Sequence, residues 1–114
     1  MKVNYTIIPL RPYPGNIYLF RDLEQMKVYY INKTGNKYEY QDENTGGRFV
    51  RLEFNNKEQD TIWLIYAKKP HVLAHEIAHV LLILFKQIGS DPAEGSGEPF
   101  CYMLSQIMIE AGWK

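Results

Sequence analysis

The chain predicts an α+β domain, an N-terminal antiparallel β meander followed by two packed C-terminal helices. Three observations carry that expectation. Short β-rich runs with alternating apolar and polar residues fill the first sixty-odd positions, separated by turn residues. After Pro70 the apolar residues recur at helical spacing. The 114 residues have room for one compact domain, 1–114, and no internal repeat, linker or low-complexity tract divides them.

Val3, Tyr5 and Ile7 alternate with Asn4, Thr6 and Ile8 until Pro9-Leu10-Arg11-Pro12-Tyr13-Pro14-Gly15 interrupts any ladder. Asn16 to Arg21 is the next β-rich run and Lys27 to Asn32 the third. Lys33-Thr34-Gly35-Asn36 supplies turn chemistry, and Tyr38 and Tyr40 share one face of a following strand, which together predict a hairpin. Asn44-Thr45-Gly46-Gly47 marks another turn. From Arg48 to Phe54, Val50, Leu52 and Phe54 point one way while Arg51 and Glu53 point the other, the pattern of a half-buried strand. Asn55 to Asp60 turns again. Thr61-Ile62-Trp63-Leu64-Ile65-Tyr66-Ala67 is apolar on both faces, so this strand is expected to be covered on both sides or to border a groove.

Pro70 suits a first helical turn. Val72, Leu73, Ile77, Val80, Leu81, Leu84, Phe85 and Ile88 then follow helical spacing, and Gly89 is a natural stop. Ser90 to Gly97 reads as a loop. A second helix is expected from about Glu98 to Ala111, with Ser96 as N-cap, Pro99 in the tolerated first turn, and Phe100, Met103, Leu104, Ile107 and Met108 as its core stripe.

Composition narrows the function classes. The chain is 46% hydrophobic and 23% charged, ordinary for a globular protein and unlike a disordered tail. Thirteen basic and thirteen acidic side chains cancel, so no global charge draws it to nucleic acid or an anionic membrane. The nine tyrosines fall mainly in the β-rich half, where they suit half-buried strand positions rather than a base-stacking platform. A single cysteine, Cys101, excludes an internal disulfide and a cysteine-based zinc knuckle. No apolar run reaches a membrane span, and the first residues lack the apolar region of a signal peptide, so a cytoplasmic, reducing setting is expected.

His75-Glu76-Ile77-Ala78-His79 carries the chemistry. Spacing of four residues places two imidazoles on one helical face a turn apart, close enough to share an ion. A glutamate directly after the first histidine reaches water at that ion without being a ligand itself. With this chain's histidine and glutamate content, the pattern arises by chance roughly six times in a thousand. All three histidines also fall between positions 71 and 79.

A zinc site needs a third ligand. Leu82 and Phe85 stand where the longer H-E-x-x-H-x-x-G-x-x-H pattern would carry glycine and histidine, so the third ligand must be a carboxylate. Glu94, Glu98 and Glu110 are the choices. Glu98, at the start of the second helix, is favoured because a short loop folds that helix back onto the first. Glu94 is the second choice. Glu110 lies about 18 Å along the helix from Glu98, so the two cannot serve one ion. Tyr102, four residues after Glu98, is a candidate oxyanion donor, though packing is its ordinary role. His71 continues the histidine face and is a candidate to support a ligand, contact substrate or bind an ion, though solvation is the ordinary state of a histidine at a helix start. Cys101 is expected to be a buried, inert thiol. Ser105 either supports a metal-ligating histidine or fills space between the helices.

The helical His75-Glu76-x-x-His79 followed by Glu98 resembles the gluzincin arrangement of zincin metallopeptidases. Strands, a Leu-Ala-His-Glu-Ile-Ala-His-Val helix and a later Glu-Pro-Phe-Cys-Tyr segment are similar to the small zincin-like proteins encoded by phages and prophages. The resemblance spans about residues 61 to 108. It implies a zincin-like fold, Zn²⁺ held by His75, His79 and Glu98, Glu76 as general base and acid, and Thr61 to Ala67 as the edge strand that receives extended substrate. The expected activity is hydrolysis of an amide bond in a peptide or protein substrate. The alternative is a non-catalytic binding or assembly module of a phage-derived system.

Overall fold

The computed structural model describes residues 3–39, 46–54 and 57–112. Among these residues four strands and three α-helices follow in the order β1 (Thr6–Pro9), β2 (Asn16–Phe20), α1 (Leu23–Thr34), β3 (Gly47–Phe54), β4 (Lys57–Ala67), α2 (Pro70–Gln87) and α3 (Glu98–Glu110), with a 3₁₀ turn at Glu94–Gly97. The architecture is α+β, as the periodicity predicts.

The sheet is mixed rather than an antiparallel meander. Its order is β1-β2-β4-β3, with β2 parallel to β4 and the other two pairs antiparallel. The difference follows from α1. Val28-Tyr29-Tyr30-Ile31 reads as strand by propensity alone, yet the segment is a helix because both its ends are capped. Asp22 has extended backbone and its side chain accepts the Glu24 N–H at 2.9 Å, a helix N-cap. Gly35 adopts φ 72° and returns its N–H to the Ile31 carbonyl at 2.9 Å, an αL stop. Leu23, Met26 and Tyr30 then share one helical face, and Met26 is buried. No hairpin joins 27–32 to Tyr38. Tyr38 instead packs edge-on against Tyr30 at 5.3 Å, and Tyr40 lies outside the described residues. The helix carries the chain away from β2, β3 forms the far edge, and β4 returns between them.

The strand over 61–67 is covered on both sides, as its apolar character requires. Its residues alternate between two cores. Trp63, Ile65 and Ala67 join Ile8, Leu10, Ile17 and Leu19 beneath α2 and α3, where Leu73, Ile77, Val80, Leu81, Leu84 and Ile107 meet them. Ile62, Leu64 and Tyr66 join Phe20, Val50 and Leu52 against Met26 of α1. Each such fully buried large apolar side chain contributes roughly 1.5–3 kcal/mol relative to leaving it exposed. β4 is therefore interior, not the edge strand that the resemblance implies; among the described residues the edge strands are β1 and β3. Residues 57–60, expected in a turn, belong to β4, which begins at Lys57; residues 44, 45, 55 and 56 lie outside the described residues.

α2 starts with Pro70 in its first turn and ends in a Schellman motif. Gly89 at φ 75° donates to the Lys86 carbonyl, and the Ser90 N–H reaches Phe85 at 2.9 Å. α3 begins after Gly97 (φ 77°), which takes the N-cap position expected of Ser96 and makes no side-chain cap. Phe100 in its first turn meets Phe85 near the end of α2 at 5.9 Å, and Arg21 after β2 donates to the Ala111 carbonyl at 2.7 Å. No helix among the described residues is long and apolar enough to cross a membrane.

Candidate metal centre

The buried stripe of α2 fixes where its histidines point. Leu73, Ile77, Val80, Leu81 and Leu84 face the sheet and α3, which leaves His75 and His79 on the exposed side. Their Nε2 atoms stand 3.1 Å apart, with the rings nearly perpendicular at 84°. Two imidazole nitrogens approach this closely when one carries a proton and the other a lone pair. A cation can take that proton's place. Two nitrogens each about 2.0–2.1 Å from one tetrahedral zinc stand roughly 3.3 Å apart, a spacing close to that of this pair.

Glu76 is turned about 100° around the helix from His75, toward the sheet, and is buried. The neighbouring edge strand packs tightly against it. A β-carbon placed on Gly47 would lie 3.3 Å from Glu76 Cγ and 2.3 Å from Val72 Cγ1. Two shallow clefts open on this seam. One, of about 360 Å³, is lined by Gly46, Gly47, His71, Val72, His75 and Glu76. The other, of about 330 Å³, is lined by Gly47, Arg48, Phe49, Glu76 and His79. Glu76 lines both, with a histidine on each side.

Of the remaining sequence-predicted residues, His71 lines the first of these clefts and the others lie elsewhere. Glu98 lines a separate cleft of about 380 Å³ with Pro12, Tyr13, Pro99, Tyr102 and Met103. The reason is helix register. The short connection that folds α3 back sets its start beside the end of α2, at Phe85, whereas His79 lies six residues earlier, about 9 Å along the helix. Among the described residues no three His, Cys, Asp or Glu side chains are grouped so as to hold a metal ion. Glu94 sits exposed in the 3₁₀ turn and Glu110 exposed at the end of α3. Tyr102 is 73% exposed beside Glu98 rather than packed, and Cys101 is exposed rather than buried. His71 and Ser105 are exposed.

Comparison of the chain with protein-family models, curated proteins and solved structures finds no match. The gluzincin resemblance thus rests on the residues named for it.

Two residues of this seam carry no site signal in the sequence. Gly47 read only as the end of a turn, yet it sets the distance between β3 and α2. Phe49 stacks on His79, with ring centroids 5.4 Å apart and planes 23° from parallel. The alternation of β3 placed Val50 and Leu52 in a core; it held no signal that the opposite face meets the histidines.

Proposed function

We propose that this chain is a zinc-dependent, peptidase-like hydrolase in which His75 and His79 hold the ion and Glu76 is the general base. The observation that carries this reading is the 3.1 Å separation of the two Nε2 atoms with the buried Glu76 beside them. A bound Zn²⁺ supplies Lewis acidity, which lowers the pKa of water and polarises a scissile carbonyl. Glu76 accepts the proton of the attacking water and delivers it to the leaving amine. Its burial against Gly47 limits the rotamers open to the carboxylate, so it is held where the two clefts meet. Glu98 enters the ligand set through the sequence reading and the resemblance, and its engagement is a question for mutagenesis.

Metal content of untagged protein, with zinc affinity and amide hydrolysis measured for wild type, His79→Ala and Glu76→Gln, tests the proposal. Stoichiometric zinc lost in His79→Ala, and hydrolysis lost in Glu76→Gln with zinc retained, is the expected result. A wild type that takes up no zinc overturns it. Zinc binding with no dependence of biological activity on Glu76 favours the binding or assembly module instead.

A further inference from the structure

We infer that Phe49, on the edge strand, is a positioning residue for His79, holding that imidazole with Nε2 turned toward His75. An exposed histidine on a helix has several side-chain rotamers open to it. Phe49 lies against one face of the His79 ring, 5.4 Å between centroids, and excludes those that swing the ring toward β3. Phe49 is itself held from behind. Its ring leans on Trp63 at 6.5 Å, Trp63 is 1% exposed in the main core, and the Arg51 guanidinium covers Trp63 at 5.2 Å. Gly47 and Phe49 lie on the same face of β3, so the close approach that Gly47 permits to α2 brings Phe49 to the helix two residues later. A chain of packed rings therefore runs from the buried sheet to the exposed histidine pair.

The consequence for metal binding rests on the function proposed above; the positioning itself does not. An imidazole that gives electron density to a cation becomes electron-poor, and the face of a phenyl ring favours such a neighbour. Phe49 thus supports His79 in the loaded state as well as in the free one.

Proton NMR of the metal-free protein is the primary test, with the three histidines assigned by single substitution. In wild type the His79 ring protons should be shifted upfield by the Phe49 ring current and should show a cross-relaxation contact to His75. Phe49→Leu, which keeps apolar bulk but removes the ring, should lose both, and Phe49→Tyr should restore them, with His71 unchanged throughout. A wild-type His79 without the ring-current shift, or a Phe49→Leu spectrum that keeps the shift and the contact, overturns the inference. In the metal arm, Phe49→Leu should bind zinc about 10-fold more weakly, with Phe49→Tyr near wild type. Equal affinities overturn the support of the loaded state and leave the hydrolase standing. No zinc binding by wild type removes the hydrolase, while the metal-free spectra still decide the role of Phe49.

Discussion

Gly47 and Val72 meet so closely that a β-carbon on the glycine would come within 2.3 Å of Val72 Cγ1. That contact joins the edge strand to the histidine helix, and the carbonyl of Tyr66 closes the same space at 3.0 Å. Gly47→Ala should therefore force β3 and α2 apart and destabilise the fold by about 1–3 kcal/mol. Gly46→Ala is the control, since its nearest contact is an ordinary 3.4 Å from Val72 Cγ2. Chemical denaturation of both variants checks the difference; equal stabilities would count against a tight seam.

Scaffold and site separate on α2. Ile77 is fully buried and His75 is exposed two residues away. Ile77→Ala should cost about 2–5 kcal/mol by leaving a cavity. His75→Ala should change metal-free stability by no more than about 0.5 kcal/mol. With zinc present the order of importance reverses: His75→Ala should abolish the zinc-dependent gain in unfolding free energy, which at a hundredfold excess over Kd is about 2.7 kcal/mol for a zinc-binding wild type, read by denaturation with and without zinc.

The caps of α1 account for a helix where β-formers crowd together. Asp22→Ala removes the acceptor of the Glu24 N–H and should destabilise by about 0.5–2 kcal/mol. Gly35→Ala puts a side chain at φ 72° and should cost about 1 kcal/mol. Asp22→Asn, which keeps a capping oxygen, should recover most of the first loss. Thermal or urea unfolding followed by circular dichroism reads all three.

Tyr29 gives the fold an alkaline limit. Burial, followed by the neighbouring phenols of Tyr18 and Tyr5 and a hydrogen bond with Tyr18, pushes it up from 10.0 to about 12. Between those values the unfolded chain has released this proton while the folded one retains it. The contribution is therefore complete below about pH 10 and disappears as pH rises through about 12. Spectrophotometric titration should show a late-ionising tyrosine that Tyr29→Phe removes, together with a shallower loss of stability over that range.

Glu98 is the sharpest test of the proposed ligand set. It lies in a cleft with Pro12, Tyr13 and Tyr102, beside the end of α2 rather than among the histidines. If it joins the ion through a shift of α3, Glu98→Ala should weaken zinc binding at least 10-fold, as His79→Ala should. Calorimetric titration of both variants decides this, and an unchanged affinity for Glu98→Ala removes Glu98 from the set.

The amino-acid sequence by itself determined both C-terminal helices, the apolar strand over 61–67, and the placing of His75 and His79 on one helical face. These are properties of local periodicity: spacing of four on a helix fixes which side chains share a face, whatever surrounds it. Tertiary structure decided the rest. Whether 27–32 is strand or helix turned on the caps at Asp22 and Gly35 and on a core waiting for Met26. Which strand lies at the edge turned on β4 pairing parallel with β2, a contact between segments more than forty residues apart. The partners of the histidines, Phe49 across the seam and no carboxylate from α3, follow from the approach of β3 to α2 and from the register of two helices. Periodicity reports the direction a side chain takes from its own element; only packing sets what it meets there.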